Sequence, residues 1–288
     1  MMSEFDKSRL DKYIRRTYGK RIPQSIIEKA IRNKDILVNG MKPKASDRIS
    51  EEDEIFIHPA ICKVFANVCA QAKEYDLHHD YSGYAEQFKR MIIYEDNDLI
   101  IINKPAGLAV QLGSKTKLAV DVMAKAYNPE ARLVHRIDKD TSGITVLAKN
   151  IETSRYMLHL FQHKQVHKKY FAIVAGKLEM LKGSINKPLS KNKETVYVDF
   201  EHGKNAITEF RVIKNLNKNR TLIEAIPLTG RTHQIRVHLA SVGYPIIGDR
   251  KYAGQKALHL YLHSSEISFP TRNGKSVVKK APLPDYFY

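Results

Sequence analysis

The stretch Leu133-Val134-His135-Arg136-Ile137-Asp138-Lys139-Asp140-Thr141-Ser142-Gly143 sets His, Arg and Asp within four residues, beside Val and Ile. Apolar surroundings strip water from a carboxylate, and a neighbouring cation keeps it ionised. That combination serves reactive sites and also structural ion pairs, so the residues alone leave both readings open. Two further stretches have the same character. One is Asn103-Lys104-Pro105-Ala106-Gly107-Leu108-Ala109-Val110. The other is Leu228-Thr229-Gly230-Arg231-Thr232-His233-Gln234-Ile235-Arg236-Val237-His238-Leu239.

Around these three stretches the chain reads as short strands and helices. Ile92–Tyr94, Leu99–Ile102, Thr145–Ala148, Tyr170–Val174 and Leu222–Ile226 are β-rich, while Ala119–Tyr127 and Ile151–Gln165 have helical spacing. Strands separated by helices and long loops predict a mixed α+β domain over residues 91–288.

Residues 1–60 read as a separate small α+β unit, with 61–90 as a connector. Ser8 suits the N-cap of a first helix, and Pro23-Gln24-Ser25 opens a second whose Ile26, Ile27, Ala30 and Ile31 share a face. Ile36-Leu37-Val38 then runs as a strand into the turn Asn39-Gly40. Lys63–Asp76 can form a helix that His78–Gly83 breaks. Basic residues crowd the two helices of the first unit, as they would on a surface facing a phosphate backbone.

The totals narrow the function further. The chain has 288 residues, 48 Lys+Arg against 31 Asp+Glu, and a net charge of +17. Such an excess points to a polyanionic partner. No apolar run approaches the ~18 residues that cross a bilayer, so a membrane role is not expected. The opening Met1–Lys7 has no apolar core of a secretory signal, and acidic Glu4, Asp6 and Asp11 disfavour an organelle leader. Cys62 and Cys69, two turns apart on a helix, are too distant for a disulfide. A cytoplasmic protein with reduced cysteines is expected, a monomer by default.

At this point resemblance adds to the reading. RLDKYIRRTYGK (residues 9–20) and SIIEKAIRNKDILVNGMKPKASDRISEEDEI (25–55) resemble the S4 RNA-binding domain in motif and in order of elements. The resemblance implies that this surface docks structured RNA, with Arg9, Arg15, Arg16, Lys29, Arg32 and Asn39 as candidates. HRIDKDTSG followed by ITVLAK (135–149) resembles the signature of the RluA-type pseudouridine synthases, with Ile137 for the usual Leu. KPAGLAV (104–110), KKYFAIVAG (168–176) and TGRTHQIRVHLASVGYPIIGD (229–249) match further motifs of that family in order. Together with the S4-like unit they resemble the RluC-like branch, whose members act on large-subunit ribosomal RNA.

That resemblance implies an α+β core with a mainly antiparallel sheet flanked by helices, and isomerisation of uridine to pseudouridine in 23S ribosomal RNA. It assigns Asp138 as the catalytic carboxylate, Tyr170 as the ring packed on the target base, and Arg236 as the carboxylate's basic partner. His135, Arg136, Thr141, Ser142 and Gly143 would shape the active-site loop. Lys104, Arg231, His233 and Gln234 are candidates for contact with RNA. No metal and no cofactor are implied, since the reaction involves no redox step.

The chemistry fits these residue types independently. The N1–C1′ bond must break and C5 must join C1′, which develops positive character at the sugar. A carboxylate can stabilise that centre, attack it, or take a proton from the sugar. A glycosidase usually needs a second acid to handle water, but here the departing uracil is itself the acceptor. A base must also leave its stack, and an aromatic face can hold it.

Other signals are weaker. Gly107…Gly113-Ser114-Lys115-Thr116 is one residue too long for a phosphate-binding loop, and Ser114 interrupts the Gly-Lys pair. His159, His163 and His167 recur every four residues, but Lys164, Lys168 and Lys169 would repel a metal. Two rival functions are a non-catalytic RNA-binding protein and a metal-dependent nuclease. The first should have lost the Asp138, Tyr170 and Arg236 set, and the second needs an acidic cluster the sequence lacks.

Overall fold

A computed structural model describes residues 8–77, 82–113, 118–193, 195–217 and 219–288. The chain divides into two compact units, residues 1–80 and 81–288. The breaker His78–Tyr81, the opening Met1–Lys7 and the Ser114–Thr116 segment lie outside the described residues.

The first unit holds β1 (Ser8–Arg9), α1 (Leu10–Tyr18), α2 (Gln24–Arg32), β2 (Ile36–Val38), β3 (Arg48–Ile49), β4 (Ile55–Ile57) and α3 (Pro59–Leu77). Ser8 is not the helix cap expected of it. It pairs with Ile49, and α1 starts after Arg9 with no side-chain cap. The loop supplies the missing acceptors: Leu10 N–H donates to Asp47 O (2.8 Å) and Asp11 N–H to Ala45 O (3.0 Å). Asn39 and Gly40 both have positive φ, 52° and 72°, as the tight Asn-Gly turn after β2 requires.

Residues 61–77 are part of the first unit rather than a connector. Ile61, Phe65 and Cys69 recur every four residues on α3, and fully buried Phe65 completes the core made by Leu10, Ile14, Ile27 and Ile36. Its ring lies 5.7 Å from that of Tyr18. Both cysteines are free.

Among the described residues the second unit opens with α4 (Ser82–Lys89), so residues 82–90 belong to it: Phe88 is fully buried in its core. Then follow β5 (Ile92–Glu95), β6 (Leu99–Lys104), α5 (Val120–Tyr127), β7 (Arg132–Leu133), β8 (Ser142–Ala148), α6 (Ile151–Gln162) and β9 (His167–Ala175). The remainder is β10 (Lys182–Asn186), β11 (Leu189–Asn192), β12 (Thr195–Val198), β13 (Ile207–Leu216), β14 (Arg220–Pro227), α7 (Gln234–Ser241), β15 (Leu262–Pro270) and β16 (Ser276–Lys280). A ten-stranded sheet runs in the order β10-β13-β14-β9-β15-β8-β6-β5, with β16 beside β15 and β7 beside β8. Among the described residues only the β8–β15 strand pairing of this sheet is parallel, so the sheet is mainly antiparallel.

Period-two alternation explains how helices cover the sheet. On β6, Leu99 and Ile101 pack with Met157 and Leu160 of α6, while Ile100 and Ile102 pack with Phe88, Val120 and Met123 of α4 and α5. Every residue of β8 is buried. At the other end Tyr170, Ala172 and Val174 of β9 pack with Ile235 and Leu239 of α7. Helix α6 stops at Gln162, so His167 stands on β9 and not on a helical face with His159 and His163.

Gly143 decides how closely the two parallel strands approach. Its φ is +106°, and a Cβ there would lie 2.2 Å from the Ser264 carbonyl oxygen on β15. The clash is with backbone, which cannot swing aside. Gly143→Ala is therefore expected to destabilise the fold by about 3 kcal/mol. A urea midpoint unchanged from wild type would show that β8 and β15 can separate freely.

Candidate active site

Asp138 sits in the loop between β7 and β8, just ahead of β8, every residue of which is buried. Two elements hold that loop from below. Lys104, the last residue of β6, is buried, and its Nζ donates to the carbonyls of Pro105 (2.9 Å), Leu108 (2.8 Å) and Lys139 (3.0 Å). Gly107 N–H also donates to Lys139 O, at 2.9 Å. Burial pushes the Lys104 amine down to about 7, opposed by the Asp140 and Asp138 carboxylates. Lys104 thus corrects the expectation of an RNA contact: its three donors are spent on backbone.

Arg236, on the first turns of α7, meets Asp138 across the loop. Its Nη1 donates to Asp138 Oδ2 at 3.2 Å. The rest of the guanidinium is bidentate on Asp249, Nε to Oδ2 at 2.8 Å and Nη2 to Oδ1 at 2.9 Å. Both partners are buried, Asp249 almost completely. Burial disfavours the charge on Arg236, but the carboxylates of Asp249 and Asp138 outweigh it and hold the guanidinium protonated. Burial likewise opposes ionisation of Asp249, and Arg236 with the Lys251 and Tyr252 amides outweighs that, lowering its pKa. One cation therefore faces two carboxylates, and Asp249 takes two of its three contacts.

His233 caps α7 in the left-handed region, φ 53°. Its Nε2 lies 3.8 Å from Asp138 Oδ2, and its Nδ1 lies 2.6 Å from the Tyr252 hydroxyl. The Arg236 guanidinium sits 5.1 Å from the Tyr252 ring centre. Burial keeps His233 below its ordinary pKa, opposed by Asp138.

Asp138 lies on the wall between two cavities. The smaller, about 260 Å³, has Tyr170, Val134, Ile137, Phe161 and Leu262 in its lining, with Lys168 and Arg231 at its polar side. The larger, about 820 Å³, carries exposed Arg136, Lys139, Arg250 and Lys251 and reaches Gly107 and Leu258. Tyr170 is buried, which pushes its hydroxyl up to about 12 against the hydrogen bond with Ser264. It is a neutral aromatic wall at physiological pH.

The loop residues named from sequence have distinct places. Arg136 is exposed and lines both cavities. His135 Nε2 accepts from Val146 N–H at 2.9 Å and its ring stacks on Phe161 at 4.8 Å. Burial, with Lys168 nearby, pushes it down to about 3, so it is a neutral spacer. Thr141 is buried and its amide closes a turn onto Asp138 O. Ser142 Oγ bonds His263 Nδ1 (2.9 Å) and the Tyr286 hydroxyl (3.1 Å).

Several expected RNA contacts have internal partners instead. Gln234 is buried, accepting from Thr229 Oγ1 and Arg231 N–H and donating to Ile207 O and Thr208 Oγ1. In the first unit, Asn39 donates to Asp53 Oδ1 and accepts from Glu54 N–H, fastening its own turn. Arg15 donates to Ile22 O and Gln24 Oε1, and Arg9 forks onto Asp11. Arg16 lies over the Tyr13 ring at 5.9 Å. Lys29 and Arg32 are exposed. Arg231 is exposed too, with Nε on Asn205 O.

Sequence reasoning missed Asp249 and Tyr252. Asp249 closes the very motif that contains Arg236, and an invariant need to neutralise a buried Arg was the available signal. Among the described residues, no group of three His, Cys, Asp or Glu is placed to hold a metal. No helix among them is long and apolar enough to cross a membrane.

Residues 98–241 match the family model described as RNA pseudouridylate synthase. The chain is 40% identical to the ribosomal large subunit pseudouridine synthase C of Rickettsia bellii, over 97% of this chain and 96% of that one. The protein of the same name from Vibrio parahaemolyticus is 38% identical, over 91% of this chain and 84% of that one. Among solved structures, human RNA pseudouridylate synthase domain containing 4 superposes with a TM-score of 0.61 at 26% identity, covering 72% of this chain and 94% of that one.

The Arg236–Asp249 pair generates a stability prediction. Asp249→Asn is expected to destabilise the protein by about 3 kcal/mol at pH 7, because a buried Arg loses its bidentate partner. The folded pKa of Asp249 is depressed, so its contribution is present above the ordinary value of about 3.9 and vanishes as pH falls through the folded one. Denaturant titrations should show the two proteins converging below about pH 4. A gap independent of pH would exclude ionised Asp249 as its source.

Proposed function

The chain belongs to the RNA pseudouridylate synthase family, and from that premise we propose that it isomerises specific uridines in 23S ribosomal RNA through Asp138. The observation that carries the assignment is the position of Asp138, on a wall shared by an aromatic-lined cavity and a basic one, against the Arg236 guanidinium.

A uridine flipped from its stack enters the smaller cavity and lies along Tyr170. Its backbone and flanking nucleotides run through the larger cavity beside Arg136, Lys139 and Arg250. Arg236 and His233 both approach Oδ2 of Asp138, so Oδ1 is the oxygen assigned to the sugar. There the carboxylate stabilises charge at C1′, attacks it, or takes a proton from the sugar. Each route begins at the same atom. The detached uracil turns against the Tyr170 face until C5 meets C1′. No atom is gained or lost, so the cycle calls for no co-substrate.

The first unit is assigned as an S4-like RNA-binding module, supported by its motifs and by the exposed Lys29 and Arg32 on α2. We further propose that the protein acts in the cytoplasm, as a monomer, on ribosomal RNA or its assembly intermediates.

The deciding experiment incubates the protein, with EDTA present, on unmodified large-subunit ribosomal RNA and maps pseudouridine by carbodiimide treatment and primer extension. Pseudouridines are expected with the wild type and none with Asp138→Asn, whose RNA affinity should stay within about twofold, since neutralising one partly shielded carboxylate leaves the basic surface intact. Binding without modification by the wild type would favour a non-catalytic RNA-binding role.

A second test concerns the first unit. Lys29→Gln with Arg32→Gln should flatten the plot of log affinity against log salt by about 1.8 in slope, if each cation neutralises one phosphate of duplex-like RNA. An unchanged slope would remove these two residues from the interface.

A further inference from the structure

We propose that Tyr252 is a positioning residue for the Asp138 site, holding His233 as the Nε2–H tautomer aimed at the carboxylate. In its rate measurements this rests on the uridine-isomerising reading above.

The hydrogen bonds point to the proton's place. Tyr252 OH accepts from the Val196 N–H of β12 at 3.1 Å, so the phenol's own proton needs another partner. His233 Nδ1, 2.6 Å away, is an acceptor within reach, and with the proton placed there the phenol donates and Nδ1 accepts. A neutral imidazole with Nδ1 as acceptor carries its hydrogen on Nε2. That atom stands 3.8 Å from Asp138 Oδ2, the oxygen that Arg236 also contacts at 3.2 Å. A donor facing a carboxylate is the favourable arrangement, while the other tautomer would present a lone pair to it.

The charged groups facing the ring pull in opposite directions, and burial decides for the neutral imidazole. Asp138 favours its protonation, as does the more remote Asp249, while Arg236 and Lys251 oppose it. Burial, the largest influence, disfavours the imidazolium. The backbone adds a further indication, since His233 is held at φ 53°, a conformation that non-glycine residues seldom adopt and that collects at functional positions.

Tyr252 acts on Arg236 as well. Its ring lies under the guanidinium, and its amide donates to Asp249 Oδ1 at 3.2 Å. One residue thus touches both groups that reach Asp138 Oδ2. Its hydroxyl also joins them to the β11–β12 hairpin, on which Lys191, Lys193 and Tyr197 are exposed.

Tyr252→Phe keeps the ring beneath Arg236 and removes only the hydroxyl. It is expected to lower kcat about tenfold with KM for RNA unchanged, the loss equivalent to one misplaced hydrogen bond. It should also introduce a pH dependence near the ordinary histidine value of about 6.5, because Nδ1 becomes free to take a proton. In a His233→Gln background the same substitution should add no further loss. Ring ¹⁵N spectra provide a readout independent of activity: wild-type His233 should show Nε2–H at pH 7, and Tyr252→Phe a mixture of tautomers. Wild-type spectra showing Nδ1–H, or a Tyr252→Phe enzyme with unaltered kcat and pH profile, would overturn the proposal. If the wild type modified no RNA, the reaction reading would fail, and the ring spectra alone would still decide the tautomer.

Discussion

The second unit is organised around one cation placed between two carboxylates. Arg236 is buried, and an unpaired guanidinium there would cost several kcal/mol. Asp249 resolves this by binding two of its nitrogens, in the flat bidentate geometry that suits the group. Since Asp249 takes two of the guanidinium nitrogens, a single one, Nη1, reaches Asp138. That contact orients the carboxylate through Oδ2. A bidentate Arg236–Asp138 pair would have tied up both oxygens, whereas the fork leaves the Asp138 carboxylate partly open.

The loop that presents Asp138 is held by ordinary backbone chemistry. Lys104 places an amine among three carbonyls, one of them belonging to Lys139 beside Asp138. Gly143 allows the β15 backbone to approach where any side chain would collide with it. Ser142 fastens the start of β8 to His263 and Tyr286. These residues touch no substrate in the proposed reaction, yet they explain why the HRIDKDTSG stretch is densely specified around Asp138. Their work is to leave the loop one conformation.

The two cavities divide the demands of an RNA substrate. An apolar wall with a neutral Tyr170 suits a flat base that must turn, because stacking holds a ring without fixing its in-plane orientation. Exposed Arg136, Lys139 and Arg250 suit phosphates, which hold position and carry no sequence information. Asp138 borders both, which in the proposed reaction sets it beside the sugar that joins base to backbone.

Much of this architecture was legible in the amino-acid order. The apolar runs Leu99–Ile102 and after Gly143 announce strands, the Asn39-Gly40 pair announces its turn, and Asp138, Tyr170 and Arg236 stand out as a set through their motifs. What misled was local inference about polar residues. Lys104 and Gln234 look like RNA contacts because they are polar and sit in motifs, but both are buried and satisfied by backbone or side-chain partners. Ser8 looks like a cap, yet carbonyls from residues 45 and 47 perform that task. Sequence patterns report burial through periodicity, which is a property of neighbours along the chain. Hydrogen-bond partners lie far apart in sequence: 98 residues separate Asp138 from Arg236 and 121 separate Ser142 from His263. The order of residues by itself therefore determined the sheet-forming segments, the basic character and the motifs that single out Asp138 as a candidate. Only the tertiary structure decided which polar groups face solvent, that Asp249 shares Arg236, and that Tyr252 reaches His233, because each depends on what the fold brings within about 3 Å.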